Sequence, residues 1–232
     1  MHLDILIFAA IAAFLIYRLN SVLGTKNGDE RQRPNPFVAP DQTRPRTAEA
    51  PVPVPVVMPV RPVLSPAALD QMIDADSNKD GRVETGLAEI RDADQFFDLN
   101  TFLQGARYCF EIIVTAYARG DLPTLQPLLS PKLYGDFVAG VKAREAAGHT
   151  AELTLHRVKT ARVTEAHLGG AMAYVTVDFE VDETVVTRDK SGQVVDGNAD
   201  AILTIRDVWT FTRDTRNVDP NWILIETRAA EK

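Results

Sequence analysis

The chain has 232 residues and a formal net charge of -7. Residues 18–46 carry a net charge of +3 (six basic minus three acidic residues), whereas residues 47–232 carry -9. An acidic body without clustered lysine and arginine excludes the counterion release that drives binding to nucleic acid, so we expect no nucleic-acid partner. Cys109 is the single cysteine, which excludes an internal disulfide and a cysteine-based metal site within one chain.

Residues 1–20 are predicted to form a transmembrane anchor. The apolar run ILIFAAIAAFLIY at residues 5–17 extends through Leu3 and Leu19 to about 17 residues, which is enough for a short span. Asp4 and Arg18 lie at its ends, where charged groups reach the lipid headgroups. Basic residues follow the run and none precedes it, so the positive-inside rule places the rest of the chain in the cytoplasm.

Two other interpretations of this run are disfavoured. A cleavable signal peptide needs a basic start and a small-residue cleavage site, but this chain carries Asp4 at the start and YRLN after the run. A buried core helix would have to pack on a domain that begins far along the chain. We therefore predict an uncleaved, single-pass anchor.

Residues 21–85 are predicted to be a disordered, proline-rich tether that contains an acidic turn. Ten of the 14 prolines lie between residues 34 and 66, where they favour extended polyproline II structure and give the tether a reach on the order of 100 Å. The prolines could serve as a docking ligand for a partner with aromatic grooves. A plain spacer is the simpler interpretation, and we adopt it.

The acidic turn, DSNKDGRVE at residues 76–84, matches the first half of an EF-hand calcium loop. Asp76, Asn78 and Asp80 occupy the first three ligand positions. The position that should supply a bidentate carboxylate is Leu87, so the ligand shell is incomplete. We predict a solvated turn and no metal site, with these three residues as the candidates that a calcium titration would test.

Residues 86–232 are predicted to form one α+β domain. Apolar residues recur at helical spacing in three segments, at 101–119, 122–129 and 131–148. Gly120 is predicted to end the first helix, Asp121 to cap the second and Ser130 to open the third. After Gly148 the period changes to two, and strands are predicted around residues 153–163, 175–182, 202–211 and 222–227. Helices followed by antiparallel strands indicate a curved sheet packed on helices.

Such a sheet encloses an apolar cavity, and we predict a pocket there lined by Phe110, Tyr117, Leu203, Asp207, Trp209, Phe211 and Trp222. An acid among apolar neighbours makes Asp207 the best candidate for a general base. The sequence shows no partner for it, no zinc motif, no nucleophile elbow and no phosphate loop. We predict a hydrogen-bonded structural Asp207, no catalytic residue and no cofactor. The row Asp178, Glu180 and Asp182 is predicted to be a solvated strand face.

Several short motifs carry a family resemblance: FLQGAR at 102–107, ARGDL at 118–122, PLLSP at 127–131, REAAGHT at 144–150, WTF at 209–211 and DPNW at 219–222. Over residues 86–228 the chain resembles the alphaproteobacterial TimA adaptor family. That family is related to the forty-four-kilodalton subunit of the mitochondrial inner-membrane translocase, whose carboxyl-terminal domain has a nuclear-transport-factor-like cone.

The resemblance implies a non-enzymatic adaptor in the bacterial inner membrane, with its carboxyl-terminal domain in the cytoplasm. Such an adaptor would bind protein partners during protein translocation or membrane-complex assembly. An alternative is a pocket protein that carries a lipid or small molecule, and a third is an enzyme that uses Asp207. The contents of the pocket and the identity of a crosslinked partner separate the three.

Overall fold

The computed structural model describes Leu69 and residues 71–230. The predicted membrane span at 1–20 and most of the predicted tether lie outside these residues. Within the described part of the chain, no helix combines the length and apolar character needed to cross a membrane. Among the described residues, four fully described helices precede and pack on an antiparallel sheet, which confirms the α+β prediction.

The helices begin and end where their capping residues dictate. They are α1 (Arg82–Ala93), α2 (Leu99–Arg119), α3 (Leu122–Leu125) and α4 (Pro131–Ala146). Asp98 caps α2 by accepting a hydrogen bond from the backbone N–H of Thr101, and Gly120 ends that helix in the left-handed conformation. Asp121 and Ser130 cap α3 and α4, as the sequence predicts.

The folded region begins before the predicted boundary at residue 86. Helix α1 was not predicted, yet it buries Val83 and Leu87, and Ile73 further upstream is buried and forms a parallel bridge with Val163. A Cβ on Gly86 would lie 1.9 Å from the carbonyl oxygen of Ala166, so α1 rests directly on the sheet backbone. Residues 73–85 therefore belong to the domain rather than to a tether.

The sheet consists of β1 (Thr150–Gly169), β2 (Met172–Arg188), β3 (Val194–Gly197), β4 (Leu203–Asp214) and β5 (Ile223–Ala229). Its order is β1-β2-β4-β5, with β3 paired to β2. The strand predicted around residues 153–163 is part of a longer, 20-residue strand, β1. Three register shifts interrupt its pairing with β2, and such bulges bend a strand over the helices.

The outer face of the sheet carries acids that are covered rather than solvated. Asp178 and Asp182 are each only 8 % exposed. Asp178 pairs with Arg206 from β4, and Asp182 accepts a hydrogen bond from Arg157 on β1 at 2.8 Å. The prediction of a solvated carboxylate row is therefore wrong for these two acids, because long basic side chains on the neighbouring strands lie over them.

Candidate functional site

The inner face of the sheet, which the helices cover, changes in character along β4. Leu203, Ile205, Asp207, Trp209, Phe211 and Arg213 alternate onto this face. Leu203 is 36 % exposed, whereas Trp209 and Phe211 are 3 % and 0 % exposed. We call the part around Trp209 and Phe211 the closed end. We call the part formed by Glu183, Leu203, Ile205 and Asp207 the mouth.

The closed end is filled by aromatic rings in direct contact. The ring centroid of Phe110 lies 4.4 Å from that of Trp209 and 4.8 Å from that of Phe179. Trp222 contacts Phe102 at 4.7 Å, and Phe102 meets Phe211 edge-on at 5.9 Å. Four of the seven predicted pocket residues, Phe110, Trp209, Phe211 and Trp222, thus pack in one aromatic cluster, which we expect to contribute mainly to stability.

A buried ion pair closes this end of the sheet. Arg213 donates a hydrogen bond to the carboxylate of Asp94, and both side chains are less than a tenth exposed. Arg213 also donates to the backbone oxygens of Asp219 and Asn217. This guanidinium therefore links the loop before α2 to the loop between β4 and β5. Each of its three nitrogens donates one hydrogen bond.

Tyr117 belongs to a contact between helices α2 and α4. Its ring lies 4.9 Å from that of Phe137, and the guanidinium of Arg144 lies 5.3 Å from its ring centroid. Its hydroxyl packs so closely on Gly140 that a Cβ there would lie 2.4 Å away. Burial raises the pKa of Tyr117. These described contacts attach Tyr117 to α4 rather than to the strand residues predicted to share its pocket.

Two carboxylates lie at the mouth. Glu183 of β2 is 6 % exposed, and its strand neighbours are Leu155 on β1 and Leu203 on β4. Asp207 of β4 is partly buried, and its partner across the strands is Phe179. No hydrogen bond or ion pair joins the Glu183 carboxylate to any residue in the described range.

Burial is the main cause of the raised pKa of both carboxyl groups. It raises the pKa of Glu183 to about 7, and the nearby charge of Asp207 adds to the effect. It raises the pKa of Asp207 to about 6, with Asp178 adding to the rise and the indole N–H of Trp209 opposing it. That indole nitrogen is buried and falls short of hydrogen-bond geometry with any described acceptor. The hydrogen bond predicted for Asp207 is therefore not formed among the described residues, although the Trp209 indole lies near its carboxylate.

Sequence reasoning missed Glu183, although a signal was present. The series Val177, Phe179 and Val181 alternates onto the inner face, and Glu183 continues the same period. An acid that continues an apolar series is expected to be buried. The predicted strand ended at residue 182, so Glu183 was not assigned to a face.

The three candidate calcium ligands, Asp76, Asn78 and Asp80, each contact a different residue of the turn. Asp76 pairs with Lys79 at 2.9 Å and Asp80 pairs with Arg82. Asn78 donates to the Glu84 carboxylate and accepts from the Glu84 backbone. Within the described ranges no group of three or more histidine, cysteine, aspartate or glutamate side chains converges to hold a metal ion. Leu87, at the closing position of the loop pattern, is buried in the core.

A cavity of about 400 Å³ lies between this turn and β1, away from the predicted pocket. Its lining is mixed and comprises Ser77, Arg82, Val83, Thr164, Glu165, Ala166 and His167. His167 stacks on Tyr174 with the ring centroids 4.6 Å apart. His156 is hydrogen-bonded to the Thr184 hydroxyl at 2.9 Å. These contacts place both histidines on the outer face, opposite to Asp207.

Comparison with known proteins gives a family match. A family model described as Tim44-like domain matches residues 83–229. A curated relative, mitochondrial import inner membrane translocase subunit TIM44-1 of Arabidopsis thaliana, is 25% identical over 123 residues. The matched region covers 53% of this chain but only 26% of that relative.

Solved structures with some similarity share little sequence with this chain. The intermembrane space region of chloroplast protein ARC6 has a TM-score of 0.41 and 12% identity, covering 56% of this chain and 97% of that one. A putative dehydratase from the NTF2-like family of Streptomyces avermitilis has a TM-score of 0.31 and 16% identity. It covers 58% of this chain and 100% of its own.

Proposed function

Because this chain belongs to the Tim44-like domain family, we propose that it is a non-enzymatic adaptor that binds protein partners in protein translocation or membrane-complex assembly. In this proposal residues 1–20 anchor it in a bacterial inner membrane and the domain lies in the cytoplasm. The assignment to the alphaproteobacterial TimA branch and the nuclear-transport-factor-like cone belong to the same proposal.

The observation that carries the proposal is the family match across residues 83–229, which includes nearly all of the described fold. The curated relative is a subunit of a mitochondrial import translocase, as its name states. Import of proteins requires contacts with other proteins, so a family member that binds proteins is the simplest expectation. Since the match covers about a quarter of that relative, the partners of the two proteins need not be the same.

The chemistry of the inner face supports a binding role more than an enzymatic one. Aromatic rings occupy the closed end, and the described histidine contacts lie on the outer face. Asp207 would need a second group to move a proton to or from a substrate, and a general acid or base works only within hydrogen-bond reach of its target. The neighbouring acids are Glu183 and Asp178, and neither is hydrogen-bonded to Asp207 among the described residues.

Site-specific photocrosslinking of the full chain in native membranes tests the proposal. The probe replaces Ile202, which is 60% exposed beside the mouth. The matched control replaces Tyr108, which is 53% exposed on α2. We expect protein adducts at position 202, identified by mass spectrometry as translocation or membrane-complex components, and weaker or different adducts at position 108.

Membrane fractionation and lipid analysis complete the test. We expect the full chain to remain in the membrane after carbonate extraction, whereas a chain released by that treatment would contradict the anchor. Absence of protein adducts at both positions, together with a lipid that copurifies at unit stoichiometry, would replace the adaptor by the alternative of a lipid-carrying pocket protein.

A further inference from the structure

Glu183 is a buried charged residue that has no counter-ion among the described residues. The other buried charges of the described chain have partners: Asp94 pairs with Arg213, Asp178 with Arg206 and Asp182 with Arg157. Glu183 is as buried as these groups, yet its carboxylate has no such partner among the described residues. Its carboxylate oxygens keep some contact with solvent, but burial of the rest of the side chain weakens their hydration, which lowers stability unless a partner replaces it.

The register of the sheet places a second acid near it. Glu183 and Asp207 lie on the same face of neighbouring strands, two side-chain positions apart in the pairing of β2 with β4. Their charges are close enough to affect each other. The two acids lie four residues apart along the strands and do not contact each other. The charge of Asp207 nevertheless disfavours that of Glu183, and a cation bound near the two acids would favour the charged form of both.

The neighbours of the two acids indicate what kind of cation fits. Leu155 and Leu203 face Glu183 directly, and Val181 and Ile205 form the next pair toward Asp207. A divalent metal ion requires six or more oxygen ligands or several waters, which this apolar setting does not supply. Lysine and arginine combine an apolar stem with a cationic end, so their stem would contact the leucines while the charge meets the carboxylates.

We propose that the mouth binds a lysine or arginine side chain of a partner protein, with Glu183 and Asp207 as its counter-ions. This inference rests on the proposed adaptor function and specifies the chemistry of the segment that the adaptor recognises. Ile202 and Leu203, which are 60 % and 36 % exposed, lie beside the mouth. They favour apolar residues on either side of the bound cation.

A peptide-binding measurement tests the site directly. The full chain is reconstituted in phosphatidylcholine nanodiscs, whose zwitterionic surface carries no net charge. The probe is a short, fluorescently labelled leucine–serine peptide with one central lysine, and the comparison peptide carries acetyl-lysine, which keeps the stem but removes the charge. We expect the lysine peptide to bind at least about tenfold more tightly, as for a desolvated charge pair.

Two variants and one control assign the effect to the mouth. Glu183→Gln and Asp207→Asn should each weaken binding of the lysine peptide about tenfold, while binding of the acetyl-lysine peptide stays unchanged. Glu180→Gln removes an acid from the opposite face of the same strand, where Glu180 pairs with Lys159 at 2.9 Å, and should leave both affinities unchanged. Equal affinity for the two peptides, or an unchanged affinity in Glu183→Gln, would overturn the inference.

The crosslinking experiment separates this inference from the function on which it rests. If position 202 yields the same protein adducts in Glu183→Gln as in the natural chain, the adaptor function stands and the cation site is wrong. If the natural chain yields no protein adduct, the adaptor function itself fails. Loss of the adducts in Glu183→Gln but not in Glu180→Gln supports both.

Discussion

Arg213 and Asp207 lie on the same face of β4, one at the closed end and one at the mouth. Each of the three side-chain nitrogens of Arg213 donates a hydrogen bond, one to a carboxylate and two to backbone oxygens. Asp207 and its neighbour Glu183 have no counter-ion in the described range. The same face therefore stabilises the fold at one end and keeps unpaired charge at the other, an arrangement expected where a protein binds a partner.

The closed end should be the most sensitive to loss of its ion pair. Arg213→Ala leaves Asp94 buried without a partner and removes bonds to two loops, so we expect the free energy of unfolding to fall by about 4–5 kcal/mol. Urea unfolding of the full chain, followed by the fluorescence of Trp209 and Trp222, measures the change. The double variant Asp94→Leu with Arg213→Met removes both charges and should recover part of the loss. Equal losses in the single and double variants would contradict this account.

Aromatic packing at the closed end should outweigh aliphatic packing at the mouth. Phe110 is fully buried between Phe179 and Trp209, so Phe110→Ala should lower the free energy of unfolding by about 3–4 kcal/mol. Ile205→Ala removes a partly buried side chain at the mouth and should lower it by about 1–2 kcal/mol. Comparable losses at the two sites would mean that the mouth is as tightly packed as the closed end.

Removing the charge of Glu183 should raise stability, in contrast to the three single substitutions above. The pKa of Glu183 is about 7 in the folded chain against 4.5 for the free side chain, so the folded state binds its proton more tightly. Stability therefore falls as the pH rises from about 4.5 to about 7, and the penalty is complete above that range. Glu183→Gln should raise the free energy of unfolding at about pH 8 by about 2–3 kcal/mol.

A pH series decides whether the charge is responsible. The difference between Glu183→Gln and the natural chain should vanish below about pH 4.5, where both side chains are neutral. A difference that stays constant across the series would assign the effect to packing of the amide instead.

Asp207→Asn should produce a smaller effect of the same sign. Its pKa of about 6, against 3.8 for the free side chain, moves the range in which stability falls to between about pH 4 and pH 6. Because the side chain of Asp207 keeps more contact with solvent than that of Glu183 and the Trp209 indole lies near it, we expect a gain of about 1–2 kcal/mol at neutral pH. Destabilisation would show that Asp207 makes a structural hydrogen bond, as the sequence analysis predicts.

Local signals in the sequence predicted most of the fold. Asp121, Ser130 and Gly120 marked helix boundaries correctly, because caps satisfy backbone groups within one turn. The alternation of Val175 to Val181 identified the buried face of β2. Helix α1 was missed because it follows a loop-like turn, and its buried positions are recognisable only once β1 lies against Gly86.

The candidate site was predicted only in part. The inner-face alternation of β4 was correct, and it brought Asp207, Trp209 and Phe211 onto one surface. Trp209 and Phe211 are packed, whereas Leu203 is exposed. This difference depends on where α2 crosses the sheet, and no local sequence pattern specifies that position. The partners Asp94 and Arg213, 119 residues apart, could not be paired from one sequence.

Local patterns in the sequence are enough to predict helices α2 to α4, the main strands that follow them and a Tim44-related family, because caps, periodicity and short motifs act within a few residues. Which buried charges have partners depends on the tertiary structure. Arg213 meets Asp94 because the end of β4 lies against the loop before α2, whereas Glu183 and Asp207 have no counter-ion among the described residues. Desolvation and charge pairing depend on neighbours distant in the chain, so the unpaired acids at the mouth became visible only in the folded domain.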